Sequence, residues 1–198
     1  MTYSTSSWLA VSAGFGVAAC ANSMPPSSAA EPHTTLEKPV IVIQAYAQGI
    51  SGVHAANPDV KVRIERDPAQ TDEAVLLVEY PKPTENPAGR DVWCDAEVRD
   101  WSTGSAISFQ IKPAGPEKLS VSFFDRNRVV YTTWSVLEGG VWQPVRVEFA
   151  QLRPNPYFQP PDAKTGAPID VSDIRGFAFA PHSQASGRLL VTKFVLAK

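Results

Sequence analysis

Cysteine is nearly absent from this chain: Cys20 and Cys94 are the only two. Cys20 closes an apolar N-terminal stretch, so Cys94 stands alone in the remainder of the chain and no internal disulfide can staple the fold. Histidine is scarce as well, limited to His33, His54 and His182. No G-x-S-x-G, no H-E-x-x-H and no spaced Cys/His cluster occurs, which removes the recognisable signatures of α/β-hydrolases, zinc proteases and zinc fingers. Charge of one sign is lacking too. The 18 Lys and Arg against 20 Asp and Glu leave a formal charge of −2. The basic residues are scattered singly and no nucleic-acid motif appears, so no nucleic-acid partner is expected. Helical periodicity is missing: no segment carries a 3.6-residue apolar repeat over three turns. With 43% hydrophobic and 19% charged residues over 198 positions, the chain is nevertheless long and apolar enough to bury one sizeable core.

The N-terminal region is set apart by composition. "SWLAVSAGFGVAAC", Ser7 to Cys20, has the length of a signal-peptide core and is too short to span a bilayer comfortably. "VAAC" resembles a bacterial lipobox, which implies lipidation of Cys20. The preceding "MTYSTSS" lacks the Lys or Arg usual before such a core. Ala21 stands where Asp would signal inner-membrane retention, so the expected location is exported, lipid-anchored to the outer membrane or cell surface. Residues 1–19 thus read as a lipoprotein-type signal peptide. Residues 20–39, rich in Pro, Ser, Ala and Thr, read as a flexible tether. Residues 40–198 read as one domain, and the membrane is touched only through the lipid.

From Val40 onward the pattern has period two. Strands are expected at Val40–Tyr46, Asp59–Arg66, Ala74–Tyr80, Asp91–Arg99, Ser105–Lys112, Lys118–Asp125, Arg128–Val136, Trp142–Phe149, Ile174–Ala180 and Gly187–Leu196. Val60/Val62/Ile64 alternate with Lys61/Arg63/Glu65, and Ile107/Phe109/Ile111 with Ser108/Gln110/Lys112, so each strand has one buried and one wet face. "DRNR", Asp125 to Arg128, fits a tight hairpin in which Asn127 takes the left-handed conformation. "EGG" and "PAGPEK" supply further turns. Many short strands at roughly ten-residue spacing argue for an all-β sandwich or barrel. One long interruption stands out: "RPNPYFQPPDAKTGAP", Arg153 to Pro168, with five of the eighteen prolines. Loops of this length are uncommon in compact domains.

The succession "DWSTGSAISFQIKPAGPEKLSVSFFDRNRVVYTTWSVLEGGVWQPVRVEFAQL" and "IDVSDIRGFAFAP…GRLLVTKFVL" resembles the galactose-binding-domain-like jelly rolls. It is most similar to the family-eleven type of carbohydrate-binding module and to the complex I intermediate-associated protein. The resemblance spans Val40 to Leu196. It implies a jelly-roll β-sandwich of two antiparallel sheets that binds glycans on one concave sheet face, without catalysis. The final strand of this group often carries an acidic pair that helps hold structural calcium. Here Thr192-Lys193 stands in that stretch, and a Lys repels a cation, so neither calcium nor any other cofactor is expected.

Sugars present apolar C–H faces and a belt of hydroxyls, so their sites pair flat rings with planar polar groups. Trp93 lies on the face opposite Val92/Cys94/Ala96/Val98, together with Asp95, Glu97 and Arg99. Phe124 lies opposite Leu119/Val121/Phe123. Gln110 and Ser108 lie on the wet face of their strand. If these strands are neighbours, the outer faces form one polar surface with two rings. Tyr131 and Trp134 have opposite parity on one strand, so one faces in and the other out. The proline-stiffened loop offers Tyr157 and Phe158: either one of these rings plugs the open end of the sandwich, or Tyr157 walls the site. The candidate ligand contacts are Trp93, Gln110, Tyr131, Trp134 and Tyr157, and the expected partner is a polysaccharide or glycan. Trp101 and Trp142 are expected in the core, Cys94 as a buried small hydrophobe, and His182 as a solvated loop residue. Asp95 and Glu97 share a wet face at i and i+2 and read as a surface stripe rather than a glycosidase pair. The competing functional reading is an envelope protein-interaction or assembly factor on the same fold; a glycan-active enzyme is the third.

Overall fold

The computed structural model describes residues 41–47, 49–70, 73–83 and 89–198. Cys20 and the 20–39 tether lie outside the described residues. The strands are β1 (Ile41–Gln44), β2 (Val53–Ala55), β3 (Lys61–Arg66), β4 (Ala74–Tyr80), β5 (Val92–Asp95), β6 (Ala106–Pro113), β7 (Glu117–Asp125), β8 (Val130–Leu137), β9 (Gln143–Glu148), β10 (Arg153–Pro154), β11 (Ile174–Pro181), β12 (Gly187–Val191) and β13 (Phe194–Ala197). Helical structure among the described residues is confined to short 3-10 turns such as Phe149–Gln151. The strands form two antiparallel sheets. One is seven-stranded, in the order β1-β13-β6-β12-β4-β3 with β9 on the remaining edge of β6; the other is six-stranded, in the order β10-β8-β7-β11-β5-β2. This is the jelly-roll β-sandwich that the family resemblance implies, within the all-β class that the alternating pattern predicts.

The core forms where the two inner faces meet. From the six-stranded sheet come Val92, Cys94, Leu119, Val121, Phe123, Phe177 and Phe179. From the other come Leu76, Val78, Ile107, Phe109, Ile111, Leu189, Val191 and Phe194. Phe194 ties the layers together, its ring 4.4 Å from Phe109 in its own sheet and 4.6 Å from Phe177 across the interface. Each such side chain contributes about 1.5–3 kcal/mol on leaving water. Trp101 is fully buried as expected. It sits edge-on to Phe123 at 6.0 Å, and its Nε1–H donates to the Val98 carbonyl at 2.6 Å, so its polar atom is satisfied. Cys94 is also in the core, and burial, helped by the neighbouring Asp95 charge, pushes its thiol up to about 12. It is an inert core residue.

Several expectations need correction. The strand expected over Asp91–Arg99 stops at Asp95, and Val98 is exposed. The single C-terminal strand is two. Thr192 and Lys193 break it, and the Thr192 hydroxyl accepts from the Gln110 N–H at 2.9 Å while the Thr192 N–H donates to the Gln110 carbonyl at 3.0 Å. The side chain thus stands in for a main-chain acceptor and holds the broken strand against β6. In the Asp125–Arg128 hairpin it is Arg128, with φ of 60°, that takes the left-handed conformation, not Asn127. Asn127 instead donates both its main-chain and its side-chain N–H to the Asp125 carboxylate. Trp142 is half-buried rather than in the core: its Nε1–H donates to Asp67 at 3.0 Å, and Lys112 Nζ lies 5.9 Å from its ring.

Candidate binding face

The outer face of the six-stranded sheet carries the candidate site. From Gly176 to Ala180 the middle strand β11 presents small residues there, Gly176, Ala178 and Ala180, alternating with the inward Phe177 and Phe179. The register sets what stands beside this floor. Trp93 lies opposite Ala178, Ala178 opposite Ser122, and Ser122 opposite Thr132; Ala180 lies opposite Ser120, and Ser120 opposite Trp134. Because β11 offers no bulk, Trp93 and Phe124 reach over it from β5 and β7 and stack with centroids 4.5 Å apart and planes at 29°. Such pairs are worth about 0.5–1.5 kcal/mol beyond the area they bury. Gly176 is required on local grounds: a Cβ there would meet the Cys94 carbonyl at 2.9 Å.

A second aromatic station lies across the sheet. Trp134 is exposed, Lys118 Nζ stands 4.5 Å from its ring, and the His182 ring lies 4.6 Å away. Trp93 and Trp134 are three strand spacings and two residues apart in register. That places them about 16 Å apart along the face, the length of an oligosaccharide rather than of one sugar. Between them runs a polar row. Ser122 and Thr132 hydroxyls lie 2.9 Å apart, and Asn155 Nδ2 donates to Thr132 Oγ1 at 3.1 Å.

His182 is not the solvated loop residue expected. It is half-buried, and its Nε2 lies 2.9 Å from Ser120 Oγ. Burial, reinforced by the Arg90 charge, pushes its pKa below the usual histidine range. The pair is no catalytic triad. The nearby Glu117 carboxylate accepts from the His182 main-chain N–H at 2.8 Å rather than from its ring, so it does not orient the imidazole as a triad acid does. Glu117 itself is buried and also accepts from the Tyr80 hydroxyl at 2.7 Å and the Ser183 N–H at 2.6 Å. Burial alone would raise its pKa. The hydrogen bonds from Tyr80, Ser183 and His182 win and hold the carboxyl below the usual glutamate range.

Beyond Trp93 the face opens into a pocket of about 550 Å³ walled by Trp93, Phe124 and Phe158. Phe158 comes from the proline-rich loop, which is folded back on the β7–β8 hairpin. Gln159 holds it there, its Oε1 accepting from the Val130 N–H at 3.0 Å and its Nε2 donating to the Val130 carbonyl at 2.8 Å. Asn155 Oδ1 accepts from both the Tyr157 and Phe158 N–H groups, an Asx turn that sets where the two rings point.

The sequence-predicted residues divide accordingly. Trp93 and Trp134 share this face. Gln110 does not: it belongs to β6, in the other sheet, opposite Pro144 of β9. The expectation that Gln110 and Ser108 adjoin Trp93 is therefore corrected, because β6 pairs with β9, β12 and β13 and never with β5. Tyr131 is the inward member of its strand, 1% exposed, with its hydroxyl donating to the Ala167 carbonyl at 2.9 Å; it is a core residue and cannot meet a ligand. Tyr157 is 85% exposed and neither plugs the sandwich nor lines the pocket. Its neighbour Phe158 does the latter. Asp95 pairs with His54 at 3.1 Å on the rim of the sheet. Sequence reasoning offers Phe158 on the loop but chooses Tyr157 beside it, and it misses three pocket arginines, Arg126, Arg128 and Arg175. Equal parity of Arg126 and Arg128 at a hairpin tip beside an outward Phe124 was the available signal.

No family model matches the chain, and no curated protein matches it. Among solved structures it is similar to a family 11 carbohydrate-binding module from Clostridium thermocellum in complex with a beta-1,3-1,4-mixed-linked tetrasaccharide. The TM-score is 0.62 at 18% identity, covering 80% of this chain and 95% of that one. A family 30 carbohydrate-binding module matches with TM-score 0.58 at 12% identity, over 81% of this chain and all 100% of the other. An agarase matches at TM-score 0.56 and 15% identity, over 80% of this chain but only 26% of the enzyme. At identities this low the likeness shows the fold alone, a jelly-roll β-sandwich.

Proposed function

We propose that this jelly roll is a non-catalytic carbohydrate-binding domain that holds a glycan chain along the outer face of its six-stranded sheet. The observation that carries the reading is the pair of exposed tryptophans, Trp93 and Trp134, at the two ends of one face whose floor is Gly176, Ala178 and Ala180. Flat rings over a small-residue floor suit the C–H faces of pyranoses. Ser122 and Thr132 offer hydroxyl partners between the rings, and Asn155 holds Thr132 from the β10 side. The fold shared with carbohydrate-binding modules supports the same reading.

The test is affinity electrophoresis and calorimetry over a glycan panel, including mixed-linked β-glucan, agarose and polyuronates. Binding that is lost in Trp93→Ala and in Trp134→Ala supports the reading. A domain that binds no glycan but co-purifies with an envelope protein would replace it with the assembly-factor reading. The sequence of the N-terminal region further supports a lipid anchor at Cys20 that holds the domain at the cell surface. Cys20→Ser should abolish metabolic labelling with palmitate and move the protein from the membrane to the soluble fraction.

A further inference from the structure

The pocket beyond Trp93 is more than an extension of an aromatic platform. Against the rings of Trp93, Phe124 and Phe158 it sets three guanidinium groups, Arg126, Arg128 and Arg175. Each is held by one carboxylate: Arg126 Nε by Asp170 at 2.6 Å, Arg128 Nη1 by Asp162 at 2.6 Å, and Arg175 Nη2 by Asp173 at 2.8 Å. Each contact engages one nitrogen of a group with five N–H donors, and the three side chains remain 57%, 66% and 49% exposed. The three holding carboxylates do not line the pocket; the arginines do. The one acid that does line it, Asp125, is 1% exposed, and its oxygens accept from the main-chain N–H groups of Asn127, Val129 and Asp170. The three arginine charges are thus balanced by Asp162, Asp170 and Asp173, with Asp125 a fourth carboxylate beside them, and what the pocket offers an acid group is the guanidinium N–H donors that those contacts leave over.

A second observation is independent of the charge count. Arg128 has φ of 60°, and no other non-glycine residue among the described ones has a positive φ. An L-residue there is strained, and glycine or asparagine would suit it better. A long cation kept in this conformation, with its side chain on the pocket wall, fits a role for the side chain rather than for the turn.

We propose that this pocket takes an anionic sugar unit, carboxylated or sulfated, whose ring lies on the aromatic wall and whose acid group meets Arg126, Arg128 and Arg175. The inference rests on the carbohydrate reading and narrows it to acidic glycans. Guanidinium groups bind carboxylate and sulfate oxygens through paired, charge-assisted hydrogen bonds, which neutral hydroxyls do not match.

The test is calorimetry of the whole protein with polygalacturonate and alginate as carboxylated probes, a carrageenan as a sulfated probe, and mixed-linked β-glucan and agarose as neutral ones. An acidic probe should bind at least about tenfold tighter than the neutral ones at about 0.05 M sodium chloride and lose that advantage at about 0.5 M. Comparison of the carboxylated with the sulfated probes identifies the acid group. Arg126→Gln, Arg175→Gln and Arg128→Gly should each cut the preference for acidic over neutral glycan about tenfold. Arg128→Gly relieves the backbone strain, so its loss of preference cannot be assigned to misfolding. Neutral glycans bound as tightly as acidic ones, or arginine variants with an unchanged preference, would overturn the proposal and leave carbohydrate binding standing. Absence of binding to every probe would overturn both.

Discussion

Trp93→Ala and Trp101→Ala should separate binding from folding. Trp101 is fully buried among Phe123, Phe149 and Phe177, and removing it leaves a large cavity at a cost of about 3–5 kcal/mol. In a domain of this length, each kcal/mol shifts the melting temperature by about 2–4 °C, so a fall of about 6–20 °C is expected. Trp93 keeps 36% of its surface exposed and gives up chiefly its stack on Phe124. That stack and the area it covers are worth about 1–2 kcal/mol, a fall of about 2–8 °C. Binding should move the other way. A ring that seats a sugar acts as an interface anchor worth about 2 kcal/mol, or about thirtyfold in Kd. Differential scanning fluorimetry and calorimetry with the best glycan from the panel read the two quantities. If Trp93→Ala melts as low as Trp101→Ala, or binds glycan as tightly as the wild type, the platform argument is wrong.

Individual contacts carry four further outcomes. Tyr131→Phe should lose about 1 kcal/mol with its hydrogen bond to the Ala167 carbonyl and keep full binding, whereas Trp134→Ala should weaken binding about tenfold and melt within a few degrees of wild type. Glu117, held below the usual carboxylate range by its Tyr80, Ser183 and His182 donors, contributes stability that is present above about pH 4.3 and lost as pH falls through the folded value. Glu117→Gln should therefore melt below wild type at pH 7, with the gap closing in acid; a gap independent of pH in melting curves would contradict this. Lys193, ion-paired with Glu73, occupies the stretch where an acidic pair would help hold calcium. Added calcium or a chelator should then leave the melting temperature unchanged, and a calcium-dependent rise would show a metal site elsewhere.

The fold was legible because its determinants are local. Period-two alternation in Ile107/Phe109/Ile111 and Leu119/Val121/Phe123 states which side chains face in, whatever the partner strands are. The β7–β8 hairpin was legible as a hairpin, since Asp125 is a turn former, yet the residue with positive φ was not. Asn127 is the better left-handed former by itself, but the Asp125 carboxylate captures both of its N–H groups and the strain passes to Arg128. β2 and β10 went unread, being three and two residues long. Strands so short carry no period. The C-terminal break at Thr192 was hidden by a side chain acting as main chain.

The site was half legible for a different reason. Parity assigns a residue to a face of its own strand, but not to one of the two sheets. Trp93 and Gln110 are both outward residues, and nothing local distinguishes an outward position on β5 from one on β6. That assignment depends on pairings such as Phe177 with Cys94 and Phe123, and Val195 with Ser108, which join residues far apart in sequence. The same limit explains the exchange of Tyr157 for Phe158. Adjacent rings on a loop have no strand to give them parity, and the Asn155 and Gln159 hydrogen bonds that orient them were invisible beforehand. The arginines complete the pattern. Arg126 and Arg128 lie at a hairpin tip and Arg175 at the start of β11, each unremarkable alone. They become one surface only because β11 pairs with β7, and that pairing is what makes the chemistry of the pocket a property of the fold rather than of any one segment.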